Sequence, residues 1–502
     1  MSIASRRDVA RVGLIGALAA WVIVVASEVS PRDATTIVVV LALQTLTGVT
    51  IVRWVGAGRG SSALELVAVG APLGFVLSLV ADQIVLATRG ERWGWLAPIV
   101  LAGSTLLRPG SRRRARGTQD DAHSLADAAP HVSMARGDLL AGFSIVAAAL
   151  LVLGGGWYWS SVVGVAVAAS GAFVVVGATT VPSRRARSSI GVLVVVGAAS
   201  VAIATRPATW WIEDSDYGFF EALGVSASRW GAGENALAIG YPIRYHWFVY
   251  GWTGMVDRIV GAPPWIVLSR AGLVVGALLV TTQLWCLVRR LGLRPAAAAS
   301  TLIGLALFDT FDSWGSGFRL GITSTPSHLF GFVWLCAVVL WWLEARRGAL
   351  TPLSALVGLS LLVGATGAKV SHGVAGATFV AVGTLADVVR RRTSVGRGVA
   401  ILSGCGAGVL AVYVVVFRGA GNLGRAWLLF PVSLQGELVD YPGWPTRAAA
   451  LVMLWGFAGA AAWALAVAAG ARRGDPSLVW ADRKSTRLNS SHVSESRMPS
   501  SA

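Results

Sequence analysis

The chain has 502 residues, 55% of them hydrophobic and only 13% charged, with a mean hydropathy of +0.66. Soluble domains carry about 25% charged residues, so the composition excludes an ordinary soluble enzyme and implies a polytopic membrane protein. The net charge of +17 does not point to nucleic acid, because the positive residues are almost all Arg, set in short clusters between apolar runs; that is the distribution of the positive-inside rule.

A spanning helix needs about 20 apolar residues, and fourteen candidates emerge in an all-α bundle. The first, Val12–Ser27, follows Arg6, Arg7 and Arg11 without a cleavage site and reads as a retained, inside-starting helix. Next come Thr35–Val52, followed by Arg53 and Arg59, and Ala63–Val80, followed by an outer turn with Asp82, Arg89, Glu91 and Arg92. Trp93–Leu107 is the fourth. A basic cytoplasmic loop, 108–138, follows; its His123 and His131 have no metal-ligand spacing and read as solvated side chains. Spans at 139–154 and 160–180 complete the first six, and 190–205 is the seventh. Residues 1–189 thus form an N-terminal six-helix region, and 190–473 a second membrane region with outer loops at 206–264, 308–328 and 418–447.

In that second region, Trp247–Val260 is apolar but short and interrupted by Asp257 and Arg258, and is expected to lie along the outer surface instead of crossing. The remaining spans are Trp265–Leu287, Ala296–Leu307, Leu329–Leu343, Leu353–Ala365, Val374–Val389, Val399–Phe417 and Ala448–Ala469. Every large Arg cluster then falls on one side, with the N-terminus cytoplasmic. The spans are poor in ionisable residues, Glu65 being the main exception. Cys286, Cys336 and Cys405 lie in apolar runs and read as small hydrophobes. The tail 482–502 is Ser-rich and lacks an apolar run, and Asp482–His492, DRKSTRLNSSH, resembles the conceptual translation of a sequencing-library adapter. The expectation is an artefactual tail, with the genuine reading frame ending near Ala481 and the native C-terminal part missing; the other reading is a disordered tail.

Four stretches can carry chemistry. Glu213, Asp214 and Asp216 open the 206–264 loop. Three acids so close repel unless a cation, proton or donor compensates. They suit a general base or an oxygen-ligated divalent metal ion, against the plainer reading of a helix end, since YGFFEALG reads as a short helix after Asp216. Further along, GYPIRYHWFVYGW carries Arg244 and His246, which suit phosphate, and Tyr241, Tyr245, Trp247, Tyr250 and Trp252, which suit an interface belt or sugar stacking. The third stretch holds Asp309, Asp312, Arg319 and His328. The fourth, GATGAKVSHG, holds Lys369 and His372; Lys369 is the only lysine before the tail, and reads either as a snorkelling interface side chain or as a lipid-phosphate contact.

A membrane helix followed by an outer loop with juxtamembrane acids, a short amphipathic helix and a YHW-type segment resembles the C-type glycosyltransferase superfamily. The resemblance covers roughly 206–469. It implies an integral membrane enzyme that moves a sugar from a polyprenyl-phosphate carrier to a cell-envelope glycan, lipid or protein acceptor on the outer face. It also implies a loop acid among Glu213, Asp214 and Asp216 as base, with or without a divalent metal ion, and outer basic residues such as Arg244, His246 and Lys369 at the carrier phosphate. Two departures stand beside it: six helices precede the helix that delivers the acidic loop, and the native C-terminal part, with any soluble outer domain it holds, is expected to be missing. A lipid-linked sugar flippase and a non-catalytic envelope protein are the other readings. Abundant Gly, Ala, Val and Arg suggest a high-GC, actinobacterial source and a bacterial plasma membrane.

Overall fold

The structure is a computed structural model and describes residues 6–26, 29–56, 61–88, 93–107, 216–235, 237, 241–243, 247–262, 266–291, 326–346 and 350–416. The expected spans at 139–154, 160–180, 190–205, 296–307 and 448–469 lie outside the described residues, as do the loop 108–138 and the tail. Among the described residues there are eleven α-helices and no strand. In chain order they are α1 (Arg6–Ala26), α2 (Pro31–Trp54), α3 (Ala63–Ala87), α4 (Ala97–Leu107), α5 (Asp216–Arg229), α6 (Phe248–Val260), α7 (Gly272–Leu291), α8 (Pro326–Ala345), α9 (Pro352–Ala368), α10 (Val370–Val389) and α11 (Val395–Val415). Five of these helical segments are long and apolar enough to cross a membrane: Pro31–Trp54, Ala63–Ala87, Pro326–Ala345, His372–Val389 and Val395–Val415. The described residues other than Val288–Leu291 belong to one compact unit. On α10 and α11 the side chains of Val382, Leu385, Val389, Val395, Val399, Leu410, Val414 and Val415 point outward, an apolar surface that suits hydrocarbon and not water.

Local chemistry sets the ends. Ser30 caps α2 through Asp33 N–H, with Pro31 at the first helical position. At the start of α3, Ser62 and Glu65 form a reciprocal capping box. Glu65 is therefore a helix cap in the first turn of the Ala63–Ala87 span. Glycine then lets α2 and α3 touch backbone to backbone: a Cβ added to Gly48 would stand 1.9 Å from the Gly70 carbonyl oxygen.

Pro72 shapes the middle of α3. Having no N–H, it leaves the Ala68 carbonyl without its helical donor. The buried Gln283 of α7 supplies one, its Nε2 donating to Ala68 O and to Val333 O of α8, each at 2.9 Å. Trp334 Nε1 of α8 donates to Pro72 O at 2.9 Å. One proline thus anchors two neighbouring helices. Replacing Gln283 with Leu strands the buried Ala68 carbonyl, while Val333 O keeps its helical donor, and is expected to lower stability by about 1–3 kcal/mol, measured by thermal unfolding of the detergent-solubilised protein.

Two expectations are corrected. Asp82 is not in an outer turn: α3 continues to Ala87 and Asp82 is fully buried within it. Its charge is tolerated because Arg258 Nη2 donates to Asp82 Oδ1 at 2.7 Å. Nor does 247–260 lie along the surface. Trp247 and α6 from Phe248 to Asp257 are buried in the bundle. Trp252 packs on Phe75 of α3 and Phe330 of α8, both with ring centroids 4.9 Å apart, and its Nε1 donates to Gln44 Oε1 of α2 at 3.2 Å. At 13 residues α6 is too short to span. Trp247, Tyr250 and Trp252 are therefore core side chains, neither an interface belt nor a stacking platform; Tyr241 alone of the described aromatics in that stretch is exposed.

The expected short helix after Asp216 is present as α5. Phe220 stacks on Tyr250 at 4.7 Å, a Cβ on Gly254 would meet Gly224 O at 2.2 Å, and Arg258 donates to Ser228 O. The constant offset of these three pairs makes α5 and α6 run in the same direction. Gln83 of α3 ties down the last turn of α5 and the segment after it, donating to Ala227 O at 2.9 Å and accepting from Ala232 N at 3.1 Å.

Candidate functional site

Three of the residues singled out in the sequence meet at one end of the bundle. His328 lies in the first turn of α8, Lys369 between α9 and α10, and His372 in the first turn of α10. The α9–α10 corner consists of one extended residue. Lys369 N donates to Ala365 O at 3.0 Å, the last bond of α9, and Lys369 O accepts from His372 N at 3.0 Å, the first of α10. The chain then folds back, so that a Cβ on Gly373 would collide with Thr366. This reversal brings His372 against α8, where its ring abuts Gly331, and brings Lys369 Nζ onto His328 Nε2. The two imidazoles lie edge to face with centroids 5.4 Å apart.

The electrostatics follow from the donors. An ammonium only donates, so His328 Nε2 accepts and a neutral ring carries its proton on Nδ1. Burial pushes Lys369 down to about 8, so the ammonium persists at neutral pH. Among the described residues no carboxylate pairs with it. Lys369 is half-buried against imidazole and does not snorkel outward. A desolvated cation with no carboxylate partner among the described residues, set beside two imidazoles, is suited to an anion with several oxygen acceptors. The start of α6 lies beside it: the Phe248 ring fills the notch at Gly367, two residues before Lys369. Trp247 immediately follows Arg244, Tyr245 and His246 in the chain.

The other sequence candidates are only partly described. Asp216 is the first residue of α5, where the helix dipole favours an acid. Glu213, Asp214, Arg244, Tyr245, His246 and Arg319 lie outside the described residues, as do Asp309 and Asp312. No group of three or more His, Cys, Asp or Glu side chains able to hold a metal ion occurs among the described residues.

Sequence reasoning missed the buried charges. Arg258 joins Asp82 of α3 to the Ser228 carbonyl of α5. At the C-terminal ends of α8 and α10, Arg346 grips Asp387 with a two-pronged bond, Nε to Oδ2 at 2.7 Å and Nη2 to Oδ1. Arg270, also missed, is buried in a π-helical turn, Val267–Ala271, that precedes α7. The available signal was a charge in an otherwise apolar helix, which is rare unless paired.

No protein-family model, no curated protein and no solved structure matches the chain.

Proposed function

We propose that the chain is a membrane glycosyltransferase that moves a sugar from a polyprenyl-phosphate donor to a cell-envelope glycan or lipid acceptor on the outer face of a bacterial plasma membrane. The single observation that carries this reading is the convergence of His328, Lys369 and His372 from three helix ends onto one cationic site that has no carboxylate partner among the described residues. Such a site suits the phosphate of a lipid carrier entering between helices. In this reading Arg244, Tyr245, His246 and Arg319 complete the phosphate and sugar contacts. Glu213, Asp214 or Asp216 takes the proton of the acceptor hydroxyl as its oxygen bonds to the anomeric carbon, and the carrier phosphate leaves with the bonding pair. Lys369 stabilises the charge that develops on that phosphate. A divalent metal ion, if used, is held by the same three acids.

Asp214→Asn, with Glu213→Gln and Asp216→Asn alongside, tests the base. Membranes carrying each variant and a radiolabelled polyprenyl-phosphate sugar should lose acceptor labelling for at least one of the three. Wild-type transfer by all three would remove the acids from the mechanism. A second reading, a lipid-linked sugar flippase, is favoured by the buried Asp82–Arg258 and Arg346–Asp387 pairs, because charges inside a membrane bundle commonly mark a transport path. Movement of the labelled lipid across proteoliposomes without any transferred product would select it.

A further inference from the structure

The corner between α6 and α7 is built on one side chain that the proposed transfer does not use. Asp257 is 2% exposed. Its backbone carbonyl closes α6, accepting from Gly261 N at 2.8 Å and Ala262 N at 3.1 Å, with Gly261 in the left-handed conformation (φ +74°). Its carboxyl reaches across the corner, Oδ1 accepting from Val267 N at 3.2 Å at the start of the π-helical turn. Oδ2 is buried and has no partner among the described residues.

Charge counting sharpens the anomaly. On α6 itself, Arg258 is turned to Asp82 of α3 and to Ser228 O of α5, so its charge is matched elsewhere. On α5, Glu221 adds negative potential. On the segment leading into α7, Arg270 is buried and engaged with another group. Among the described residues no cation pairs with Asp257. A bare carboxylate sealed from water with one oxygen unsatisfied is a costly arrangement.

We infer that Asp257 is a proton-binding site at the α6–α7 corner: a neutral carboxylic acid, with Oδ1 holding Val267 N–H and the exchangeable proton on Oδ2. The direction of its titration agrees. Burial raises the acid to about 9, against the Val267 N–H bond, which lowers it, and with Glu221 as a further raising influence. Because the folded value lies above the ordinary carboxylate range, the folded protein keeps a proton that the unfolded chain has released. Stability from this group therefore falls as pH rises between the unfolded value near 4 and about 9, by up to tenfold in the folding equilibrium per pH unit. Ionisation leaves a charge that the corner cannot solvate, so loss of the proton favours separation of α6 from the start of α7. Proton occupancy and corner geometry are linked, independently of the transfer reading.

Infrared difference spectra of the full-length protein in detergent, wild type minus Asp257→Asn, test this directly. At neutral pH the difference should contain one carboxylic-acid carbonyl band, which disappears reversibly as pH passes about 9. Thermal unfolding should show Asp257→Asn gaining on wild type steadily from pH 5 to 9. If Asp257→Asn does not fold, Asp257→Glu against wild type replaces it, and should move the band without removing it. Absence of the band at neutral pH, with a melting temperature raised by sodium over choline, would assign the site to a metal cation and overturn the proposal. A band that persists unchanged well above pH 10 would reduce Asp257 to a fixed structural acid, and also overturns it.

Discussion

Arg258→Ala is expected to destabilise the protein by about 3–5 kcal/mol, because it removes one partner of a buried ion pair and leaves the other uncompensated. Asp82 is fully buried, and Arg258 is its ion-pair partner among the described residues. The same arginine also satisfies the Ser228 carbonyl at the end of α5. Its loss should therefore release α5 and α6 together from the end of α3, leaving Gln83 as the remaining polar tie. Thermal and denaturant unfolding in detergent measure the loss. The paired variant Asp82→Asn with Arg258→Gln keeps the shape, removes both charges, and should recover most of the stability, since a buried ion pair is worth little against a neutral pair of similar shape. A cost below about 1 kcal/mol for Arg258→Ala, the range of solvated surface pairs, would contradict the burial on which the α3–α5–α6 arrangement rests.

Lys369→Met should act in two opposite directions. Transfer from the lipid-linked donor should fall by about 10²-fold, the usual effect of removing one preorganised donor from developing charge. Stability at neutral pH should rise. The folded value of the ammonium, about 8, lies below its ordinary 10.5, so the folded protein releases this proton before the unfolded chain does. Stability from this group then increases with pH between about 8 and 10.5, and the charged form is the unfavourable one at pH 7. Binding of the carrier phosphate should show the reverse dependence, weakening up to tenfold per pH unit above about 8 as the cation is lost. Lys369→Arg, whose guanidinium stays charged, should keep binding flat through that range. Titration of polyprenyl phosphate against each variant, with melting temperatures on the same samples, separates the effects. If Lys369→Met loses both stability and binding, the amine is a packing element and not an anion site.

The helices were largely legible, because hydrophobic runs bounded by Ser, Pro and Arg mark them directly: Thr35–Val52 against Pro31–Trp54 for α2, and Leu329–Leu343 against Pro326–Ala345 for α8. What misled was treating an acid as punctuation. Asp82 ended the expected third span early, and Asp257–Arg258 pushed α6 to the surface. The remedy for Asp82 is an arginine 176 positions away, and nothing local in one sequence announces a partner at that distance. The candidate site was legible as a set of residue types and not as a place. His328 and Lys369 are 41 positions apart and meet only because α8 and α9 are antiparallel and Lys369 occupies the turn that follows. The acids that define the other half of the proposed chemistry, Glu213 and Asp214, fall outside the described residues.

The corner at Lys369 bears on how this chain can vary in length. Most helix connections contain several residues, and an insertion there is absorbed as slack. Here α9 ends at Ala368 and α10 begins at Val370. One residue added or deleted between Val370 and His372 would turn His372 by about 100° around the α10 axis, swinging it off Gly331 and breaking its edge-to-face contact with His328. Related chains with a working site should therefore keep the count from Ala365 to Gly373 fixed, whereas the turn at 390–394, which holds the positive-φ residue Arg391, lies outside the site and is not held to a count by it.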